Sequence, residues 1–243
     1  MHRVRVSLAL GLLLSAAPAL AQDAPPPPAS FEGSTEFSFV GTTGNASTRT
    51  IGAGTTLTFR PDSWTVVSKI SFVRTEDRNT TKAQSLGLTT ETDHALTTKI
   101  NLFGRHEYRR DRFAGIDHRN ALQGGVAIDA IEDTRQQLKL KAGVGYANEQ
   151  RVTGADLSTA IGTAGFVYKL KLSATASFEN EAQSELSLQS GSDQRISNVA
   201  SLSAALNSTL SMKLKHTTRW VKTPPPGFGK TDTITAIALV AKF

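Results

Sequence analysis

The chain closes on TITAIALVAKF, Thr233 to Phe243, and this stretch decides the fold. Thr233, Thr235, Ile237, Leu239, Ala241 and Phe243 fall on one parity, while Asp232 and Lys242 fall on the other. Period two is the signature of a β-strand with two unlike faces. Chain ends of soluble domains are usually polar and frayed, so a last strand ending on an aromatic asks what covers it. A lipid-facing strand answers that, provided it pairs with another strand and leaves no edge.

Working outward, the same split recurs along the chain. Phe31, Gly33, Thr35, Phe37 and Phe39 alternate with Glu32, Ser34, Glu36 and Ser38, and the last strand is expected to pair with this first one to close a ring. Ile51, Ala53, Leu57 and Phe59 alternate with Thr50, Gly52, Gly54 and Thr58; Trp64, Val66, Ile70 and Phe72 alternate with Thr65, Lys69 and Ser71. Leu138, Leu140, Val144 and Tyr146 oppose Lys139 and Lys141; Leu210, Met212, Leu214 and Trp220 oppose Lys213, Lys215 and Arg219. Periodicity alone leaves a soluble sandwich and a barrel equally open. Segments of about 10 to 14 residues exceed the usual strand and suit a tilted bilayer crossing.

Short turns are read at residues 61–63, 91–94, 132–134, 169–171 and 207–208, and looser links at 42–45, 76–81, 110–117, 150–156, 190–193 and 223–230. The reading is an all-β antiparallel transmembrane barrel of about 12 strands with both termini periplasmic. Two segments are poorly defined, 157–168 in parity and 84–90 in apolarity. Phe31, Phe59 and Trp64 on one rim, with Phe39, Tyr108, Tyr146 and Trp220 toward the other, are read as interfacial girdles.

The N-terminus predicts export. Residues 1–21 combine Arg3 and Arg5, the apolar run VSLALGLLL and an Ala19-Leu20-Ala21 cleavage pattern. Residues 22–30, with Pro25 to Pro28, are expected to form a periplasmic tether, and residues 31–243 the barrel. Losing Arg3 and Arg5 lowers the formal charge of +6 by two, too mild a balance to argue for nucleic acid. The absence of cysteine excludes disulfides and thiolate chemistry.

The inward parity carries the functional expectation. Lys69, Lys99, Arg105, Glu107, Lys139, Lys141, Glu179, Glu181, Glu185, Lys213, Lys215 and Arg219 are the lumen-facing candidates. Glu179, Glu181 and Glu185 share one strand face and fit either paired acid and base or counter-charges for Lys139, Lys141, Lys213, Lys215 and Arg219, the second being the stronger reading because a charged interior must be neutralised anyway. His94, His106, His118 and His216 sit in separate segments or links without metal spacing, and no nucleophile-elbow motif is present. No catalytic residue and no cofactor are expected. Arg110, Asp111 and Arg112 are outer-loop candidates for lipopolysaccharide phosphates.

Four blocks together resemble a known family. Thr42-Thr43-Gly44-Asn45, Asp111-Arg112-Phe113-Ala114-Gly115, Gly143-Val144-Gly145-Tyr146 and Pro225-Pro226-Gly227 followed by Lys230-Thr231-Asp232-Thr233 are similar in order and spacing to the YdiY-like salt-induced outer-membrane proteins, catalogued as a domain of unknown function. Ala46 and Val144 depart from that pattern. The resemblance implies an outer-membrane barrel with a stress link and without established catalysis; separately, Phe243 at the end of an alternating strand resembles the terminal signal that the barrel-assembly machinery reads in outer-membrane proteins. The expected function is a non-enzymatic barrel, either a narrow, weakly anion-selective pore or an envelope component. A barrel enzyme acting on lipid or peptide, and a soluble periplasmic ligand-binding barrel, are the alternatives.

Overall fold

The computed structural model describes residues 29–41, 48–78, 80–189 and 193–243. The expected signal peptide, most of the proline tether and the tip at 42–45 lie outside the described residues.

Twelve strands follow in chain order: β1 (Phe31–Gly41), β2 (Thr48–Phe59), β3 (Trp64–Asp77), β4 (Thr80–Ala95), β5 (Ile100–Asp111), β6 (Ile116–Glu132), β7 (Gln136–Arg151), β8 (Leu157–Lys171), β9 (Ala176–Ser187), β10 (Gln194–Ala205), β11 (Leu210–Val221) and β12 (Thr231–Lys242). A 3-10 turn over Arg112–Ala114 separates β5 from β6. Neighbours in sequence are neighbours in the sheet, and β1 pairs antiparallel with β12, so the sheet closes into a barrel.

The seam forms at the stretch that ends the chain. Ser34 to Phe37 pair with Lys242 to Leu239, and Gly33 exchanges two further backbone bonds with Phe243, at 2.8 and 2.9 Å. The Phe243 ring lies over Gly33, where any Cβ would overlap it. A side chain at this position would have to displace the ring.

The outer face is largely apolar. Phe31 stands directly opposite Phe59, and Trp64 stacks on His94 with ring centroids 4.4 Å apart. Phe37, Phe39, Leu122, Val144, Tyr146, Ile237 and Leu239 are all exposed on it. A closed barrel with an exposed apolar wall is built for hydrocarbon, where no backbone group is left unpaired. No helix among the described residues is long and apolar enough to cross a membrane.

The two ends of the barrel differ. At the end that holds both termini, four turns repeat one device: the side chain of Thr97, Asp133, Ser173 or Asn207 accepts hydrogen bonds from the backbone N–H groups two and three residues on. Such side-chain turns tie the chain back within a few residues. We call this the turn end. The opposite, loop end carries the links of β1–β2, β3–β4, β5–β6, β7–β8, β9–β10 and β11–β12.

Several expected boundaries shift. Residues 91–94, read as a turn, continue β4 to Ala95, and the turn lies at 96–99. Their Thr-Glu-Thr-Asp-His chemistry looks like a loop, but Glu91 and Asp93 point into the lumen to meet cations. Likewise 169–171 complete β8, whose turn is 172–175. Of residues 76–81 and 110–117, positions 76, 77, 80, 81, 110, 111, 116 and 117 belong to strands, with irregular register at Thr75/Glu76 and Arg109/Asp111. The ambiguous parity of β8 has a physical cause: its inward face carries Thr159, Ile161, Thr163, Gly165 and Val167, with Ile161 buried.

Candidate functional site: the charged lumen

Odd-numbered positions from β3 to β11 project into the barrel, and their charges meet there. Lys69 on β3 reaches Glu181 on β9 at 2.9 Å. In a ring of twelve these strands are diametrically opposed, so this pair is a bar across the full width of the lumen. Arg105 joins the same carboxylate at 2.9 Å and also contacts Glu91 at 3.3 Å and Glu107 at 3.7 Å. Lys141 pairs with Glu91. Lys139 stands 3.4 Å from Asp93 and 3.7 Å from Asp129.

Toward the loop end a second knot centres on Glu149 of β7, whose side chain is only 1% exposed. Arg195 grips it at 2.6 and 3.1 Å, Arg151 at 2.9 Å, and Arg119 lies 3.6 Å away while also pairing with Glu185. A buried carboxylate is tolerable only when its lone pairs are matched in this way. Between these groups a cavity of about 20 Å³, lined by Phe103, Arg105, Gln123, Lys141 and Thr163 among others, has room for little more than one water molecule. From β5 to β10 the lumen wall is therefore packed.

From β11 round to β3 the wall is lined differently. The inward residues of β1 to β3 include Ser34, Ser38, Gly52, Gly54, Thr56 and Ser71 beside Glu36 and Lys69. Lys213 and Lys215 both pair with Glu36, and a Cβ on Gly54 would press on the Glu36 side chain. The Lys69 side chain is 45% exposed, whereas Lys213 and Lys215, at 28% each, match Lys139 of the other side at 27%.

These positions correct parts of the sequence reading. Lys99 is not on the lumen wall but in the exposed β4–β5 turn, where its backbone N–H bonds Thr97. Glu181 and Glu185 neutralise Lys69, Arg105 and Arg119, whereas Lys139, Lys141, Lys213 and Lys215 take other carboxylates. Glu179 and Arg219 make no ion pair among the described residues. Asp111 is not an outer-loop ligand group: it is buried, caps the 3-10 turn at Ala114 and pairs with Arg109 at 3.0 Å. Arg110 and Arg112 are exposed at the loop end and share Asp117 at 3.8 and 3.4 Å.

Glu91, Asp93, Arg119, Glu149 and Arg195 escaped the sequence reading. Glu91 and Asp93 were hidden by turn-like neighbours. Arg119, Glu149 and Arg195 sit near strand ends, where inward parity was available as a signal but loop chemistry obscured it. Glu107 and Lys139 stand where their parity puts them, inside the lumen. His106 and His216 are on the outer face, with His216 bonded to Thr235 at 2.8 Å. Among the described residues no group of His, Asp and Glu is arranged to hold a metal ion.

Comparison with known proteins agrees with this architecture. A family model described as "Protein of unknown function, DUF481" matches residues 35–243. The outer membrane channel COG4313 from Pseudomonas putida F1 superposes with a TM-score of 0.51 at 10% identity, over 88% of this chain and 95% of that one. The translocator domain of the autotransporter NalP from Neisseria meningitidis gives 0.47 at 15% identity, over 88% and 87%. The NanC porin gives 0.48 at 7% identity, over 87% and 97%. At 10% identity the likeness to the COG4313 channel is one of fold, that of an outer-membrane barrel. No curated protein matches the sequence.

Proposed function

The chain belongs to the DUF481 family, and we propose that this member is an outer-membrane barrel with a narrow, lysine-lined water path and no catalytic role. Its termini and turn end face the periplasm, and its loop end faces outward. The observation that carries this reading is the unequal lumen wall: a hydroxyl- and glycine-lined side with the exposed Lys69 runs beside a side packed with ion pairs.

Selectivity follows from exposure rather than from number. The expected excess of inward cations is met by Glu36, Glu91, Asp93 and Glu149. In the pairs of the open side the cation is the more exposed partner: Lys69 at 45% against Glu181 at 21%, and Lys213 and Lys215 at 28% against Glu36 at 18%. A mobile ion therefore meets ammonium groups first, which favours anions weakly.

The test is conductance of the purified barrel in planar bilayers. Discrete steps with weak anion preference are expected, and Lys213→Glu with Lys215→Glu should abolish or reverse that preference. Bilayers silent across a wide voltage range would reject the channel and leave an envelope role under salt or acid stress, which the family resemblance suggests. Sedimentation with outer membranes and heat-modifiable gel migration test the location; recovery as a soluble periplasmic monomer would refute it. Exposed Arg110 and Arg112 are the groups proposed to meet lipopolysaccharide phosphates, and Phe243 is proposed to address the chain to the barrel-assembly machinery.

A further inference from the structure

We infer that residues 224–228, Pro-Pro-Pro-Gly-Phe, form a strap that latches across the loop end and restricts access to the lumen between that end and the Lys69–Glu181 bar. The strap leaves β11 and returns to β12, yet it docks on the links after β5 and β7, on the far side of the ring. It therefore crosses the opening.

Its landing site is shaped to receive it. Gly115 and Gly154 both adopt left-handed backbone, with φ of 80° and 82°, and both stand where a side chain would collide with the strap: Pro225 and Phe228 over Gly115, Pro226 over Gly154. A hydrogen bond from the Val152 N–H to the Gly115 carbonyl, 2.9 Å, joins the two receiving links into one platform. Thr153 Oγ1 donates to the Pro226 carbonyl at 2.7 Å, and Pro225 is buried.

The strap is stiff and its attachment is slight. Three prolines restrict the backbone before docking, and the Phe228 N–H folds back on the Pro225 carbonyl at 3.1 Å. Between the platform and residues 224–228 run the Thr153–Pro226 hydrogen bond and the packing of proline and phenylalanine on glycine. Such a segment releases as a unit without disturbing the strands, which is how a latch differs from a plug. As a gate this rests on the channel reading, whereas the closure itself does not.

A chain without cysteine allows a direct test that needs no conductance. Ser197, inward on β10, lies between the bar and the strap, since Glu181 pairs with Val199 two residues nearer the turn end; Ser203 lies on the turn-end side of the bar. Ser197→Cys and Ser203→Cys are made separately in the purified, heat-modifiable barrel and treated with a small charged thiol reagent. Replacing residues 224–228 by Gly-Ser-Gly-Ser-Gly should speed labelling at position 197 by roughly tenfold and leave position 203 unchanged. Thr153→Val combined with Phe228→Ser, which keeps the loop length and prolines, should produce a smaller rise in the same direction. Equal rates at position 197 with and without an intact strap would overturn the inference. Bilayers that stay silent while position 197 responds would instead reject conduction and retain the closure.

Discussion

The two halves of the lumen wall solve the same problem in opposite ways. Between β5 and β10, guanidinium and carboxylate groups are locked together out of water, with Glu149 held by three arginines. Between β11 and β3 the inward residues are mostly glycine and hydroxyl side chains, and Lys69 is 45% exposed. The first half is filled by ion pairs, and the second is lined mainly by small side chains. Charge inside a barrel is therefore not one property: its consequence depends on whether the partners are desolvated.

The sharpest way to break this contrast is to remove one carboxylate from each half. Glu149→Gln should cost about 3–5 kcal/mol, because Arg119, Arg151 and Arg195 would be left buried around a neutral group. Glu36→Gln should cost less than about 1 kcal/mol, because Lys213 and Lys215 can turn to water. Urea titration of the refolded barrel, followed by heat-modifiable migration, measures both. Equal losses would show that the halves do not differ in desolvation.

The open half also contains the seam. β1 and β12 share four paired positions against eleven between β1 and β2, so the contact of Phe243 with Gly33 carries a larger share of closure. Deleting Phe243, or replacing Gly33 by Val to displace the ring, should lower the yield of assembled barrel several-fold while leaving the properties of assembled molecules unchanged. Normal insertion of both variants would contradict this.

Lys69 links the halves. Lys69→Met removes the bar, and single-channel conductance should rise modestly. In the unaltered barrel conductance should climb faster than bulk conductivity between 0.1 and 1 M salt, where screening shortens to about 3 Å and loosens the exposed Lys69. A strictly proportional rise would mean the bar does not limit flow.

The smallest effect is expected at a turn. The backbone N–H groups of Gln136 and Arg135 hold the Asp133 carboxyl below its ordinary value of 3.8. A depressed carboxylate stabilises the turn above that value, and this contribution is lost as pH falls through the lower folded value. Amide exchange at Arg135 and Gln136 should therefore accelerate on strong acidification, and Asp133→Ala should remove that pH dependence without altering barrel assembly.

Much of the wall was readable because hydrocarbon imposes a rule on every second residue. Phe37, Leu57, Leu140, Leu214 and Leu239 announce an outward face, and their partners Glu36, Lys141 and Lys213 an inward one. Reading failed where that rule relaxes. In β4 the run Thr-Glu-Thr-Asp-His imitates a turn, and in β8 an inward Ile161 and Val167 erase the contrast between faces. Asp111 looked like an exposed loop acid because nothing local shows that a strand continues to it.

By itself, the sequence determined a period-two chain, twelve strands and a last strand whose aromatic end needs a covered seam, since these follow from local alternation and turn chemistry. Only the tertiary structure decided which charges meet. Lys69 and Glu181 are 112 residues apart, and their pairing depends on barrel closure and on the ring order that sets β3 opposite β9. The same closure brings two prolines and a phenylalanine from one edge of the mouth onto two glycines at the other, a contact that no spacing along the chain encodes.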